Sequence, residues 1–455
     1  MPRRMSPGWK AAMVIGTVTV LTGGLRFVHL AQPERKVFDE VYYASDGCWY
    51  AGMPYRSCGL EADAERSWVH PPLGKHVIAL GVVTFGNDPF GWRVAAAVAG
   101  AATVALAGTL AYLLLGSALW GGVGALLAGT EHLLLVQSRI AMLDVFLAMF
   151  VVLGFTLLVL DRRRLDRRSS EEPGGRPVRV IRGWRPLLLL AGASFGSAVA
   201  VKWSGVLALL GAIILAVGWA WSRQRAFGSP RPLLSSLRDE GPVLWLGLIA
   251  VPLVAYSVTW LPWLADRGFD LGGWITHHLQ MIDYHLDLDT VKENGEPIHP
   301  YMSRAWSWFL LLRPVSYFWQ GDPRCCAEIL GLGHPLLFWG SLLMLPYLAL
   351  VWARRDWTAG AILVPVLVQF VPWLIVSRPL FLFYMTPITP FLAVGMAFVL
   401  RDISVARFDR RITVPAVALV IAAFVGVFAF FWPVLTADPI SREAWSARIW
   451  LDRWV

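Results

Sequence analysis

The chain is poor in charge: 16% of its 455 residues are Asp, Glu, Lys or Arg, while 56% are hydrophobic. Several apolar runs reach the roughly 20 residues a helix needs to cross a bilayer. This pattern argues against a soluble domain and for helices, which satisfy their own backbone hydrogen bonds in lipid. No glycine loop of the phosphate-cradling kind is present, so ATP or a nucleotide sugar is not expected as a direct reactant. No convincing small-residue cleavage site follows the basic start Met1-Pro2-Arg3-Arg4. The first apolar stretch is therefore read as a retained helix rather than a signal peptide. Internal repeats, which mark many transporters, are not evident.

What is present reads as an all-α polytopic membrane protein. Spans are expected near 11–30, 91–115, 119–137, 140–160, 186–201, 204–221, 242–263, 334–353, 357–376, 382–400 and 412–432, eleven in all. An odd number puts the termini on opposite faces. One face collects 22 of the 40 Lys and Arg residues in short loops, with Arg162, Arg163, Arg164, Arg167, Arg168, Arg176, Arg179, Arg182 and Arg185 in one segment. The positive-inside rule places that face and the amino terminus in the cytoplasm. The net charge of +9 is thus an orientation signal, not a nucleic-acid patch. The other face carries two long loops, 31–90 and 264–333, and the tail from 433. All four cysteines, Cys48, Cys58, Cys325 and Cys326, fall in those two loops. A Cys48–Cys58 disulfide suits an oxidising compartment. Cys325 and Cys326 are adjacent, so a direct bond between them would be strained. The chain divides into an N-terminal module, 1–241, with the first outer loop, and a C-terminal module, 242–455, with the second.

The short cytoplasmic loops leave no room for a catalytic domain, so chemistry is expected in the outer loops. The first holds Phe38-Asp39-Glu40-Val41-Tyr42-Tyr43 and His70-Pro71-Pro72-Leu73-Gly74-Lys75. Neighbouring residues on a helix point about 100° apart. Asp39 and Glu40 therefore read as one catalytic carboxylate with a neighbour orienting the loop or a partner, or as a solvated acidic pair. Arg139, Asp144, Lys202 and Arg378 fall at the outer ends of four different spans. Charges there either snorkel to the headgroups or mark a site. Together the cations suit a phosphate. The second loop adds His277, His278 and His285, then His299-Pro300-Tyr301 and the Trp306 and Trp308 pair. The spacing of His278 and His285 suits an amphipathic helix on the outer leaflet, or less well a metal site.

These segments, in this order, resemble the protein O-mannosyltransferases, a family of GT-C membrane glycosyltransferases. The likeness extends to Arg139 with Asp144, Lys202-Trp203, His299-Pro300-Tyr301-x-Ser303 and Phe383-Tyr384-x-x-Pro387-x-x-Pro390-Phe391, and runs from about residue 10 to the end. The bacterial branch fits best, since 264–333 has no room for the MIR domain of fungal and animal members. The resemblance implies transfer of mannose from polyprenyl-phosphate mannose to Ser or Thr of secreted or membrane proteins, possibly during translocation. It also implies a multi-pass cell-membrane enzyme with its site outside.

A lipid phosphate leaves as a stable anion, so one carboxylate base suffices where a glycosidase usually needs two carboxyls. On this reading Asp39 is the base, and Glu40 is its catalytic partner, supporting the base or positioning the acceptor. Arg139, Lys202 and Arg378 bind the donor phosphate. His70, Lys75, Asp144, His299, Tyr301 and Tyr384 line the substrate site. No cofactor or metal is required. The rivals are another GT-C enzyme moving arabinose, aminoarabinose or another hexose, and, further off, a transporter.

Overall fold

The computed structural model describes residues 6–60, 69–171, 183–292, 294–322, 324–406 and 409–454. Arg176, Arg179 and Arg182 of the basic run lie outside the described residues.

The helices that matter here are α1 (Pro7–Gly24), α2 (Glu40–Tyr50), α3 (Leu73–Phe85), α4 (Pro89–Leu115), α5 (Ala118–Gly129), α6 (His132–Gln137), α7 (Asp144–Glu171), α8 (Pro186–Val201) and α9 (Gly205–Ala226). They continue as α10 (Gly241–Val258), α11 (Leu271–Leu286), α12 (Pro335–Ala353), α13 (Trp357–Phe370), α14 (Thr389–Val405) and α15 (Arg410–Thr436). Each expected span coincides with a helix. Eight helices among the described residues are long and apolar enough to cross a membrane. The spans expected at 119–137, 186–201 and 382–400 are shorter, at 12, 16 and 17 residues. The first of these breaks at Thr130–Glu131. There the Glu131 carboxylate caps a new helix by accepting from the amides of Leu133 (3.1 Å) and Leu134 (2.6 Å).

The two long loops, 31–90 and 264–333, hold their own structure. The first contains α2, the Cys48–Cys58 disulfide and α3. The second contains α11, capped by Asp270 on the amide of Gly273 at 2.9 Å, and a feature that helical patterning does not reveal. Strands β1 (Val315–Gly321) and β2 (Cys325–Gly331) form an antiparallel hairpin. Strand β3 (Ile440–Ser441), from the C-terminal tail, adds to its edge. The turn is set by Asp322, whose carboxylate accepts from the amides of Arg324 (2.7 Å) and Cys325 (3.0 Å). Cys325 and Cys326 are free thiols on β2, and successive side chains of a strand point to opposite faces.

Small residues let the helices close on one another, as membrane bundles require. α8 packs on α10 where the latter opens into a π turn at Leu246–Ala250. Pro252, without an amide hydrogen, follows that turn. A Cβ added at Gly192 of α8 would run into the carbonyl oxygen of Gly247. At the N-terminal ends of the same helices a buried ionic network joins four elements. Arg185 reaches Asp161 (3.0 Å) and Glu240 (2.9 Å), and Arg223 reaches Glu240 (2.9 Å).

The α8–α10 contact yields a stability test. Gly192→Val should destabilise the folded protein by about 1–3 kcal/mol, as overpacking does. Gly218→Val, on α9 where nothing lies within 4 Å, should not. Thermal unfolding in detergent separates the two, and equal losses would remove the packing argument.

Candidate active site

The site is built from a buried ion pair outward. Arg93 on α4 and Glu40 on α2 are both fully buried. Arg93 Nε donates to Glu40 Oε1 at 2.8 Å and Nη2 to Oε2 at 2.9 Å, a two-pronged contact. The remaining guanidinium hydrogens go to the carbonyls of Leu30 (3.2 Å), Pro33 (3.0 Å) and Arg35 (3.0 Å). Glu40 also accepts from the amides of Val37 (2.9 Å) and Ala141 (2.8 Å). Its carboxylate has nothing left for a substrate. The structure therefore places Glu40 as the clasp of the loop rather than at a reacting atom.

Asp39, one residue earlier, is differently disposed. It occupies the N-cap of α2, yet its side chain makes no capping bond. The Tyr43 hydroxyl donates to its Oδ2 at 3.3 Å. Burial pushes the Asp39 carboxyl up to about 6, while Lys202 and Tyr43 pull it back. Phe38 before it is left-handed, φ 47°. An L-residue holds that conformation only where its surroundings enforce it. The Phe38 ring is wedged edge-on among His299 (5.6 Å), Tyr317 (5.1 Å) and Phe383 (6.0 Å). Tyr317 is anchored in turn by Gln137 Nε2, which donates to its hydroxyl at 2.5 Å. The unforeseen hairpin thus braces the loop that carries Asp39.

Asp39 opens into a cavity of about 380 Å³. Of the residues expected from sequence, His70, Lys75, Lys202, His299, Arg378 and Tyr384 line it too. Lys202 caps α8 and is already paired, with Nζ 3.0 and 3.1 Å from the two oxygens of Asp144 and 4.5 Å from the Tyr384 ring centre. Asp144 thus sits behind the cavity wall as the partner of Lys202. Lys75 Nζ donates to the His70 carbonyl at 2.6 Å and lies 3.6 Å from Asp46. Burial, then Lys202 and Lys75, holds His70 well below the usual imidazole range, so it is neutral. Arg378 differs from the other cations. Its Nε makes no hydrogen bond, and no carboxylate pairs with it among the described residues.

Besides Glu40 and Asp144, two more expected residues stand outside the cavity lining. Arg139 does not reach the cavity. Its Nη1 donates to the carbonyls of Leu25 (3.2 Å), Arg26 (3.1 Å) and Val28 (2.6 Å), closing the end of α1. Tyr301 packs behind His299 at 5.7 Å rather than facing the cavity. Sequence reasoning also missed Tyr43, Asp46 and the placement of His285 on the cavity wall. His278 and His285 part company: His278 bonds the Tyr256 hydroxyl at 2.7 Å, outside the cavity. Among the described residues no group of three or more His, Cys, Asp or Glu side chains could hold a metal ion.

The helical bundle, with a carboxylate and cations enclosed by its two long loops, has the fold of the GT-C membrane glycosyltransferases, which solved structures share. The S. cerevisiae protein O-mannosyltransferase Pmt1-Pmt2 complex bound to the sugar donor superimposes with TM-score 0.76 at 14% identity, covering 98% of this chain and 93% of that one. ArnT from Cupriavidus metallidurans bound to undecaprenyl phosphate gives 0.52 at 17% identity, covering 94% and 66%. Residues 84–262 match the family model of dolichyl-phosphate-mannose-protein mannosyltransferase. Residues 271–454 match that of the C-terminal four TMM region of protein-O-mannosyltransferase. The polyprenol-phosphate-mannose–protein mannosyltransferase of Mycolicibacterium smegmatis strain MKD8 is 30% identical over 100% of this chain and 94% of its own length. That of Mycobacterium tuberculosis strain H37Rv is 31% identical over 98% and 92%. The chain belongs to the protein O-mannosyltransferase family.

The clasp generates a discriminating pair of variants. Glu40→Gln leaves Arg93 buried without its counter-charge and should cost about 3–5 kcal/mol of stability. Asp39→Asn disturbs no such pair and should unfold within a few degrees of the parent. Thermal melts of the two purified proteins check this; a normal melt for Glu40→Gln would mean the pair is not the clasp.

Proposed function

We propose that the chain transfers mannose, with inversion, from polyprenyl-phosphate mannose to Ser or Thr hydroxyls of secreted or membrane proteins. The reaction takes place at the extracytoplasmic face of the plasma membrane. The observation that carries the site assignment is one cavity holding both an uncapped carboxylate, Asp39, and a guanidinium without a counter-charge, Arg378. Relatives at 30% identity over the whole chain, named as mannosyltransferases that use a polyprenol-phosphate donor, support the substrate class.

In this reading the acceptor hydroxyl attacks the anomeric carbon from the face opposite the phosphate. The new oxygen–carbon bond forms as the carbon–phosphate oxygen bond breaks. Asp39 takes the hydroxyl proton, and polyprenyl phosphate departs with the bonding electron pair. Arg378 is the principal cation for the departing phosphate, since the charge of Lys202 is already balanced by Asp144. His70, His299 and Tyr384 shape the sugar pocket, with Lys75 on its wall. The scheme calls for no metal ion, because the leaving group is a stable anion held by cations.

Asp39→Asn keeps the shape of the side chain but cannot accept a proton. Transfer to a Thr-containing peptide should fall by at least about 10²-fold while donor binding stays near normal. The base works only when ionised, so kcat/KM of the parent should decline as pH falls through about 6 and level off above it. Near-full turnover in Asp39→Asn would place the base outside this loop.

The arginine asymmetry supports an amino terminus inside and loops 31–90 and 264–333 outside. A cysteine placed at the exposed Glu296 should react with an impermeant maleimide on intact cells, and one at the exposed Arg231 should not. The reverse pattern would invert the topology.

A further inference from the structure

The imidazole of His285 sits where three separate segments meet. It projects from the last turn of α11, in the second outer loop. Its Nε2 lies 2.9 Å from the carbonyl oxygen of Val69, in the first outer loop beside His70. Its Nδ1 lies 3.1 Å from Nη1 of Arg378, in the connector between α13 and α14. The two contacts together fix the tautomer. A carbonyl oxygen only accepts, so Nε2 carries the hydrogen and donates it to Val69. A guanidinium only donates, so Nδ1 must offer its lone pair to Arg378. Neither contact tolerates the other tautomer, and an imidazolium would have no lone pair for Arg378. Burial, and then the Arg378 charge itself, hold His285 down to about 4. The ring is further fixed by stacking on His70, with centroids 5.5 Å apart.

The consequence falls on Arg378. A guanidinium on a loop has several rotamers, and an anion site needs one of them. Here one N–H is spent on a neutral acceptor, which orients the group without cancelling its charge. A carboxylate in the place of His285 would orient it equally well and neutralise it, as Asp144 does for Lys202. The Nε of Arg378 is left buried and without a partner. Such an unmet donor is costly unless something supplies an acceptor, and a phosphate oxygen would.

We propose that His285 is a positioning residue for the donor: tied to Val69 through Nε2, it holds Arg378 through Nδ1 so that the rest of the guanidinium meets the lipid phosphate. This rests on the reading that Arg378 binds that phosphate.

The test uses amide side chains that each stand in for one ring nitrogen. His285→Asn presents an acceptor near Nδ1 but cannot reach Val69. His285→Gln presents a donor near Nε2 but offers Arg378 no acceptor in the right place. Full-length enzyme in detergent is assayed with polyprenyl-phosphate mannose and a Thr-containing peptide. His285→Gln should raise the donor KM roughly tenfold and leave the peptide KM unchanged. His285→Asn should recover most of that loss. Arg378→Gln should raise the donor KM at least as much, and adding His285→Gln to it should change nothing further, because the two act as a unit.

A His285→Gln enzyme with the parental donor KM, beside a damaged His285→Asn, makes His285 merely a tie between loops and overturns the inference. So does full additivity in the double variant. If Arg378→Gln itself leaves donor KM unchanged, the phosphate reading fails, and the positioning role falls with it. Thermal melts of each variant separate loss of fold from loss of donor affinity. Equal destabilisation of both His285 variants with unchanged donor KM also counts against the proposal.

Discussion

The buried pair of Glu40 and Arg93 is the constraint on which the site depends. A loop leaving the end of α1 has no regular ladder to satisfy its carbonyls, and buried polar groups left unmet are costly. Arg93 meets three of them, at Leu30, Pro33 and Arg35, from a helix on the other side of the loop. Glu40 balances its charge and also takes the amide of Ala141, which fixes the turn between α6 and α7. As an isolated ion pair this would contribute little net stability, because desolvation offsets attraction. Its effect is geometric. With Glu40 locked, the preceding residue has little freedom, and Asp39 faces the cavity through contacts made by the chain itself.

The charges of the bundle divide by the way their partners are chosen. At the end remote from the cavity, Arg185, Arg223, Asp161 and Glu240 neutralise one another and hold the helix ends together. Around the cavity the pairing is deliberately incomplete. Lys202 has Asp144, Lys75 has a carbonyl and a more distant Asp46, and Arg378 has a neutral imidazole. The electrostatic surplus is therefore concentrated on Arg378, where a substrate anion can use it. Arg139, at the same end of the bundle, serves the carbonyls at the end of α1 instead.

Much of this was legible in the sequence, and the reasons for the exceptions are physical. Apolar runs located all eleven helical segments, since lipid exposure and burial among helices both demand apolar side chains. The break within the 119–137 span escaped because Glu131 interrupts the run by capping a new helix, a role that depends on local backbone geometry. The hairpin at 315–331 was missed because it pairs with itself and with a tail more than 100 residues away. The acidic pair, the HPPLGK turn, Lys202 and Arg378 were found by residue type and by position at span ends. What residue type could not distinguish was use. Arg139 and Arg378 look alike in sequence, yet one is spent on backbone carbonyls and the other is not. Glu40 and Asp39 are both carboxylates, yet only Glu40 meets Arg93 and the amides of Val37 and Ala141. His285 offered no signal beyond a helix face, because its role is defined by Val69 and Arg378, both remote in the chain.

In the proposed chemistry, burial of Asp39 suits a base. An exposed aspartate, with a pKa near 3.9, is a feeble base for a hydroxyl. Raising it strengthens the base, but past neutrality it would be protonated and useless. Burial raises the Asp39 carboxyl, and Lys202 and the Tyr43 hydroxyl limit the rise, leaving it at about 6. The same Lys202 is balanced by Asp144, so it restrains Asp39 without forming a salt bridge that would take the carboxylate out of use. A base that is stronger than a surface carboxylate yet still ionised at neutral pH requires these opposing influences together. The cavity supplies them with side chains from α2, α7 and α8, each held by contacts that do not involve the substrate.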